Sequence, residues 1–221
     1  MPYNTNLIST LTMLMIFTSV IAIEMKNLKT AVGAYFVQAL MITALLLAYS
    51  VANPSLIAWA ATAFVTKAII TPLMLWHTIK RTGEQETPAV IGFGPSVVIA
   101  TIIMIVFYKL THQHATFLAP TPEAQNPAIR TNLAVALTVF VIGLYGILTR
   151  RDAIKTVIGL CLLENGVHLS LVSLAPTMRE TALAGIATEV VITVALLLYI
   201  VTGIQEKFGS TDTFQLSDLH W

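Results

Sequence analysis

Long apolar stretches alternate with short polar connections along the whole chain. A helix needs roughly 20 apolar residues to cross the hydrocarbon core of a bilayer. Seven segments approach this length, and the fourth is the shortest and opens with Gly92, Gly94 and Pro95. The pattern therefore predicts an all-α, polytopic membrane protein of about seven transmembrane helices. The predicted spans are Leu7–Ile23, Thr30–Val51, Ser55–Trp76, Gly94–Tyr108, Leu133–Leu148, Ala153–Leu174 and Ala182–Val201.

The longest connection divides the predicted helices into two groups. Residues 111–130 contain three prolines and predict an irregular outer loop. Residues 1–110 then form a four-helix membrane region, and residues 131–221 form a three-helix region with a polar tail. We expect this tail, Glu206–Trp221, to lie against a neighbouring protein or in solvent.

Basic residues collect in alternate connections, which predicts the orientation of the chain. Short cytoplasmic loops of membrane proteins carry an excess of lysine and arginine. We therefore expect the N-terminus outside and the C-terminus in the cytoplasm, with the chain crossing the inner (cytoplasmic) membrane several times. The basic residues of these connections are Lys26, Lys29, Lys80, Arg81, Arg150, Arg151 and Lys155.

Composition supports a membrane protein and excludes several kinds of site. Only 10% of the residues are charged and 56% are hydrophobic, whereas soluble domains have about a quarter charged. The net charge of +1 gives no attraction for nucleic acid. Cys161 is the single cysteine, so the chain alone can build neither a disulfide nor a multi-cysteine metal centre. With no phosphate-binding loop and no nucleophile motif, we expect no cofactor, no metal and no self-contained active site.

Three ionisable side chains lie inside predicted spans. Lys67, Glu164 and Glu189 fall roughly 10–18 Å from the nearest span end at about 1.5 Å per residue. Each costs about 2.5–3.5 kcal/mol or more at the helix centre, and such residues usually mark ion or proton paths. The alternative is that they pair structurally with each other or with a partner subunit. Glu24, beside Lys26 at the end of the first span, is instead expected to be an interfacial charge.

A histidine shares a helix face with one of the carboxyl groups. Glu164 and His168 are separated by four residues, so their side chains meet on one face and can exchange a proton or a hydrogen bond. Asn165 adds an amide beside them. His168 is therefore either a member of a proton relay or a packing residue.

A proline follows the lysine in the third span. Pro72 cannot donate a backbone hydrogen bond, which leaves the carbonyl of Ala68 free one residue from Lys67. A broken helix beside an ionisable group is a feature of ion-conducting bundles. An ordinary proline kink is the alternative.

Several motifs carry a resemblance to known membrane subunits. Residues 143–151 read GLYGILTRR, residues 158–165 read IGLCLLEN, and residues 187–198 read ATEVVITVALLL. In these motifs, residues 131–221 resemble subunit K of the respiratory NADH:quinone oxidoreductase, complex I. With FVTK at residues 64–67 and LENGVHL at residues 163–169, the full chain is similar to hydrogenase-4 component E. That family is the larger relative of subunit K in group 4 membrane-bound hydrogenases.

The resemblance implies a non-catalytic membrane-arm subunit of a redox-driven ion pump, and so a component of an oxidoreductase complex. Its partners would be antiporter-like subunits and a quinone-module-type anchor subunit. Glu189 falls on the second intramembrane glutamate of subunit K, whereas Cys161 occupies the position of the first and Glu164 follows one turn later. Glu164, Glu189, Lys67 and His168 would then transfer protons laterally. A subunit of a multi-subunit Na+/H+ antiporter and a purely structural scaffold remain as alternatives.

Overall fold

The computed structural model describes residues 5–51, 53–83, 91–118, 120–174 and 180–213. Within these ranges the chain is helical and contains no strand. Seven helical segments are long and apolar enough to cross a membrane, which confirms the predicted fold class. The helices are α1 (Thr5–Glu24), α2 (Leu28–Ser50), α3 (Leu56–Ala63), α4 (Thr71–Thr82), α5 (Phe93–Gln113), α6 (Ala115–Leu118), α7 (Pro127–Thr149), α8 (Ala153–Leu174) and α9 (Glu180–Phe208).

Several helices extend beyond their predicted spans. α5 continues to Gln113 and α7 begins at Pro127, so their connection is shorter than residues 111–130. Proline is favourable in the first turn of a helix, where its missing N–H has no partner to lose, and Asn126 caps this turn.

α9 continues to Phe208 and stops before Gly209, whose positive φ of 69° ends a helix readily. α9 thus includes the first three residues of the predicted tail, and residues 214–221 lie outside the described residues.

α7 and α8 pack with their backbones in close contact because glycines line the interface. A Cβ atom on Gly166 would lie 2.7 Å from both the Ala136 carbonyl oxygen and the Phe140 nitrogen. A Cβ atom on Gly143 would lie 2.5 Å from the Leu163 nitrogen. Small residues allow helices to approach closely in membranes.

We expect Gly166→Ala to lower the stability of the protein by about 1–3 kcal/mol, because the new methyl group forces α7 and α8 apart. Gly33→Ala is the matched control, since a Cβ atom at Gly33 on α2 meets nothing within 4 Å. Thermal unfolding of the two purified variants measures the difference. Equal melting temperatures would contradict the close approach of the helices.

Two apolar clusters surround a polar layer in the middle of the bundle. One cluster includes Ile23, Tyr35 and Leu162, and the other includes Met15 and Leu45. On four of the membrane-spanning segments, buried polar side chains occupy the positions between the two clusters. These side chains are Ser19, Gln38, Thr66, Lys67, Thr71, Asn165 and His168.

Glu24 lies at the end of α1, where the sequence places it, but its side chain is enclosed by the protein. Its side chain is only 2% exposed and forms an ion pair with Arg150, whose side chain is 5% exposed. The pair forms because the end of α1 packs against the turn between α7 and α8. Beside it, the buried ammonium of Lys155 donates hydrogen bonds to carbonyl oxygens at the end of α1. These contacts hold α1, in the four-helix region, against α7 and α8 in the three-helix region.

The basic connections meet at one end of the bundle, as predicted. The ammonium groups of Lys29 and Lys80 lie 5.6 Å and 5.8 Å from the centre of the Trp76 ring. Lys155, at the start of α8, donates to the carbonyl oxygen of Met25 at 2.5 Å. The connections after the first, third and fifth spans therefore share one end.

The segment after α9 returns to this end. The backbone N–H of Ala153 donates to the Thr211 carbonyl at 3.0 Å, and the N–H of Thr213 donates to the Arg151 carbonyl at 2.8 Å. Asp152 accepts the hydroxyl of Thr211 at 2.9 Å and also caps the N-terminus of α8. The described part of the tail thus packs against this chain.

Candidate functional site

A π-helix holds Lys67 at the polar layer. Residues Phe64–Ile70 adopt this wider helix between α3 and α4. The N–H of Thr71 donates to the Thr66 carbonyl five residues earlier, and its hydroxyl donates to the same oxygen at 2.9 Å. Pro72 follows directly and has no N–H to continue an α-helical pattern. The predicted interruption of the helix beside Lys67 therefore takes the form of a π-helix, a feature frequent at functional sites.

Lys67 forms an ion pair with Glu164 inside the bundle. The Nζ atom lies 2.9 Å from Glu164 Oε1, and the lysine side chain is completely buried. The same Nζ donates to Oδ1 of Asn165 at 2.8 Å. The structure therefore brings together two of the predicted site residues, which lie almost one hundred positions apart in the sequence.

His168 lies next to this pair. Its Nε2 atom is 3.4 Å from Glu164 Oε1, as the spacing of four residues predicts. The ring is 1% exposed and packs edge-on against Trp59, with 5.4 Å between ring centres. Neither ring nitrogen hydrogen bonds to any residue that the structure describes. The ring is thus held by packing, with its Nε2 atom facing Glu164.

Two further polar residues continue the cluster towards α1. Asn165 Nδ2 donates to Gln38 Oε1 at 3.3 Å, and Gln38 Nε2 donates to Ser19 Oγ at 2.6 Å. All three side chains are fully buried. Sequence reasoning gave no role to Gln38 or Ser19. The available signal was the single amide of Gln38 in the middle of a long apolar stretch.

Glu189 lies on the other side of Glu164. It is exposed on α9, and the structure shows no ion pair between it and any described residue. A cavity of about 200 Å³ between α8 and α9 is lined by both glutamates. This volume exceeds the roughly 30 Å³ that one water occupies in the liquid. Cys161, Val190 and Thr193 form part of its mostly apolar wall.

The four predicted residues form a line from the outer face of α9 to the centre of the bundle. Glu189 lies at the exposed end, Glu164 lies at the other wall of the cavity, and Lys67 and His168 lie behind it. Glu164 is 17% exposed, so it is the member that contacts both the cavity and the buried lysine. Carboxyl, amine and imidazole groups can all gain and lose a proton.

Comparison with known proteins gives two overlapping similarities. Residues 131–221 match the family described as NADH-ubiquinone/plastoquinone oxidoreductase chain 4L. Hydrogenase-4 component E of Escherichia coli is 29% identical over 215 residues, which cover 96% of this chain and 97% of that protein.

A shorter relative matches part of the chain. NAD(P)H-quinone oxidoreductase subunit 4L of a Nostoc species is 33% identical over 99 residues, which cover 42% of this chain and 98% of that protein. No solved structure matches the chain. The sequence similarities confirm the resemblance expected from the motifs at residues 143–151, 158–165 and 187–198.

Proposed function

Because the chain belongs to the NADH-ubiquinone/plastoquinone oxidoreductase chain 4L family, we propose that it is a non-catalytic membrane subunit of a complex I-related, redox-driven ion pump. Similarity to Hydrogenase-4 component E over nearly the whole length favours a complex of the group 4 hydrogenase type. Its partners would be antiporter-like subunits and an anchor subunit of the quinone-module type. The basic end of the bundle would face the cytoplasm, in agreement with the distribution of lysine and arginine.

The function of this subunit is to carry protons laterally between its neighbours. The observation that supports it is the buried Lys67–Glu164 pair, whose carboxylate also borders a cavity shared with Glu189. A residue that contacts both a buried base and an opening can accept a proton on one side and release it on the other. Ionisable residues held inside a membrane bundle commonly serve as such relays.

Each transfer exchanges one bond to hydrogen for another. A proton moves from the Lys67 ammonium to the Glu164 carboxylate, which leaves a neutral amine and a carboxylic acid. The acid then gives its proton through water in the cavity to the carboxylate of Glu189. His168, 3.4 Å from Glu164, offers a second acceptor when its ring is neutral. The next proton, supplied by a neighbouring subunit, restores the ammonium.

Glu189 would transfer the proton to the next subunit. It borders a shallow depression of about 550 Å³ on α9, together with Gly185, Thr188, Ile192 and Thr193. A carboxylate facing lipid at the centre of a span costs about 2.5–3.5 kcal/mol or more. We therefore place a polar or cationic group of the neighbouring subunit against this face. The small side chains around Glu189 allow close approach of another helix.

Glu164→Gln and Glu189→Gln test the proposal in the assembled complex. We expect each variant to assemble and to transfer electrons, but to lose ion translocation, because glutamine cannot carry the proton. In Glu164→Gln the amide oxygen can still accept a hydrogen bond from Lys67, so the buried lysine keeps a partner at this position. The measurement is the number of ions translocated per electron in sealed vesicles. Glu206→Gln is the matched control, since this carboxylate lies on α9 in an exposed pair with Arg81. Normal translocation in both test variants would contradict the relay, and failed assembly of Glu189→Gln would favour a scaffold.

A further inference from the structure

Lys67 has a second acceptor that does not depend on Glu164. Its Nζ atom donates to Oδ1 of Asn165 at 2.8 Å, beside the ion pair. Asn165 in turn donates to Gln38 at 3.3 Å, and Gln38 donates to Ser19 at 2.6 Å. The four side chains Lys67, Asn165, Gln38 and Ser19 are each 0% exposed. They form a hydrogen-bonded string from the centre of the bundle to α1.

A backbone carbonyl sets the direction of this string. Gln38 Nε2 and Ser19 Oγ both donate to the Met15 carbonyl oxygen, at 3.3 Å and 2.6 Å. A peptide carbonyl only accepts hydrogen bonds, so Gln38 must turn its nitrogen towards Met15 and its oxygen towards Asn165. Asn165 must then turn its nitrogen to Gln38 and its oxygen to Lys67. The orientation of both amides therefore follows from the Met15 carbonyl.

We infer that Ser19, Gln38 and Asn165 are positioning residues that hold the Lys67 side chain in place in both of its protonation states. This inference depends on the proposed function, because it assigns Glu164 as the mobile acceptor and Asn165 as the permanent one. When Lys67 has passed a proton to Glu164, its neutral amine still has N–H donors, and the Asn165 oxygen keeps one of them paired. The lysine nitrogen therefore stays beside the carboxyl group, where it can accept the next proton.

The string also ends the proton path. Amide side chains do not titrate in the physiological range, and the final Met15 carbonyl has no proton to pass on. Protons therefore enter and leave Lys67 on the side of Glu164 and His168. Helices α1 and α2 contribute positioning groups to the site, and they carry no ions towards the opposite face of the subunit.

Substitutions in the string test this role in the complete complex. We expect Gln38→Leu to lower the number of ions translocated per electron by about tenfold and Ser19→Ala by about twofold, the range that one lost hydrogen bond gives. Electron transfer should continue in both, since neither residue contacts a titrating group other than through Asn165. The double variant should translocate no fewer ions than Gln38→Leu alone, because both changes act on one string.

Thr12→Val is the matched control. Thr12 lies on α1, is also 0% exposed and also donates to a carbonyl of its own helix, at 2.6 Å, as Ser19 does at 2.6 Å. Of the two hydroxyls, the Ser19 oxygen accepts the bond from Gln38. Equal translocation ratios in Thr12→Val and Ser19→Ala would overturn the inference.

Glu164→Gln in the same assay separates this inference from the proposed function. If Glu164→Gln abolishes translocation while Gln38→Leu and Ser19→Ala retain the normal ratio, the positioning role is wrong and the relay stands. If Glu164→Gln also retains the normal ratio, the relay itself is wrong. Should Gln38→Leu fail to assemble, Ser19→Ala alone decides, since it removes a single hydroxyl oxygen.

Discussion

Replacing Lys67 with methionine is expected to reduce the amount of assembled complex severely and to abolish ion translocation. Methionine is similar in size and apolar, so the substitution removes the charge with little change in volume. It leaves the Glu164 carboxylate, 2.9 Å from Nζ in the native protein, without its cation. Breaking a buried pair from one side costs about 3–5 kcal/mol. Native gel electrophoresis measures assembly, and sealed vesicles measure translocation.

The double variant Lys67→Met/Glu164→Gln separates stability from transport. Replacing both members of a buried pair by neutral groups is often nearly neutral for stability, so we expect assembly to return. Translocation should stay absent, because neither neutral side chain carries a proton. A double variant that assembles and pumps normally would show that the pair is only structural. Normal assembly of the single variant Lys67→Met would show that the protein tolerates a buried Glu164 without its lysine partner.

Charged residues in apolar stretches indicated which side chains lie at the centre of the candidate site. Lys67 and Glu164 interrupt spans that are otherwise apolar, and the high cost of such residues indicates an interior position. The spacing of four residues placed His168 on the same face as Glu164, and the structure brings their atoms to 3.4 Å. Pro72 indicated a break in the third span, although the sequence did not specify a π-helix. Spans and their charges are thus local properties that a single sequence reveals.

Neutral polar residues could not be assigned in the same way. Thr12, Thr43 and Ser19 each donate a hydroxyl to a carbonyl of their own helix, and Ser19 differs because it also accepts the bond from Gln38. The hydropathy pattern does not distinguish such residues from Gln38, because membrane helices tolerate neutral polar groups that bond locally. The bond from Asn165 to Gln38 joins residues 127 positions apart. Only the packing of α2 against α8 reveals it.

Glu189 shows a different limit of prediction. Its position in an apolar span indicated an interior environment, but α9 presents it on an exposed face of the bundle. The cavity between α8 and α9 links it to Glu164 within this chain. The Glu189 side chain therefore faces both this cavity and the exposed surface of α9 that we expect a neighbouring subunit to cover. A single sequence shows how far along a membrane span a residue lies more readily than it shows which side of the helix faces the protein interior.

The charged residues at the basic end of the bundle gave the largest discrepancy. Lys155 and Glu24 fall near polar connections, where hydropathy predicts solvent-exposed charge. In the structure the whole Lys155 residue is 4% exposed and the whole Glu24 residue is 7% exposed. The distribution of lysine and arginine correctly grouped the connections at one end, yet it could not show that Lys155 and Arg150 are enclosed. Their burial arises because α1 ends against the turn that joins α7 to α8.

We expect Lys155→Met to destabilise the protein more than substitution of any exposed lysine. The ammonium donates to the carbonyl oxygens of Ala22, Ile23 and Met25, at 2.8 Å, 3.2 Å and 2.5 Å. These carbonyls end α1 and have no N–H partner in a following turn, so the cation also complements the negative end of the helix dipole. Each buried acceptor left unpaired costs roughly 1–3 kcal/mol.

Thermal unfolding of the purified protein and the yield of assembled complex measure this effect. Lys109→Met is the matched control, because Lys109 is exposed on α5 and the substitution removes the same charge. Lys155→Arg should recover part of the stability, since a guanidinium retains donors for the same carbonyls but is bulkier in a buried site. If Lys155→Met unfolds at the same temperature as Lys109→Met, the end of α1 does not depend on the lysine. At this end of the bundle, the packing of α1 against α7 and α8 would then depend on the Glu24–Arg150 pair and on apolar contacts alone.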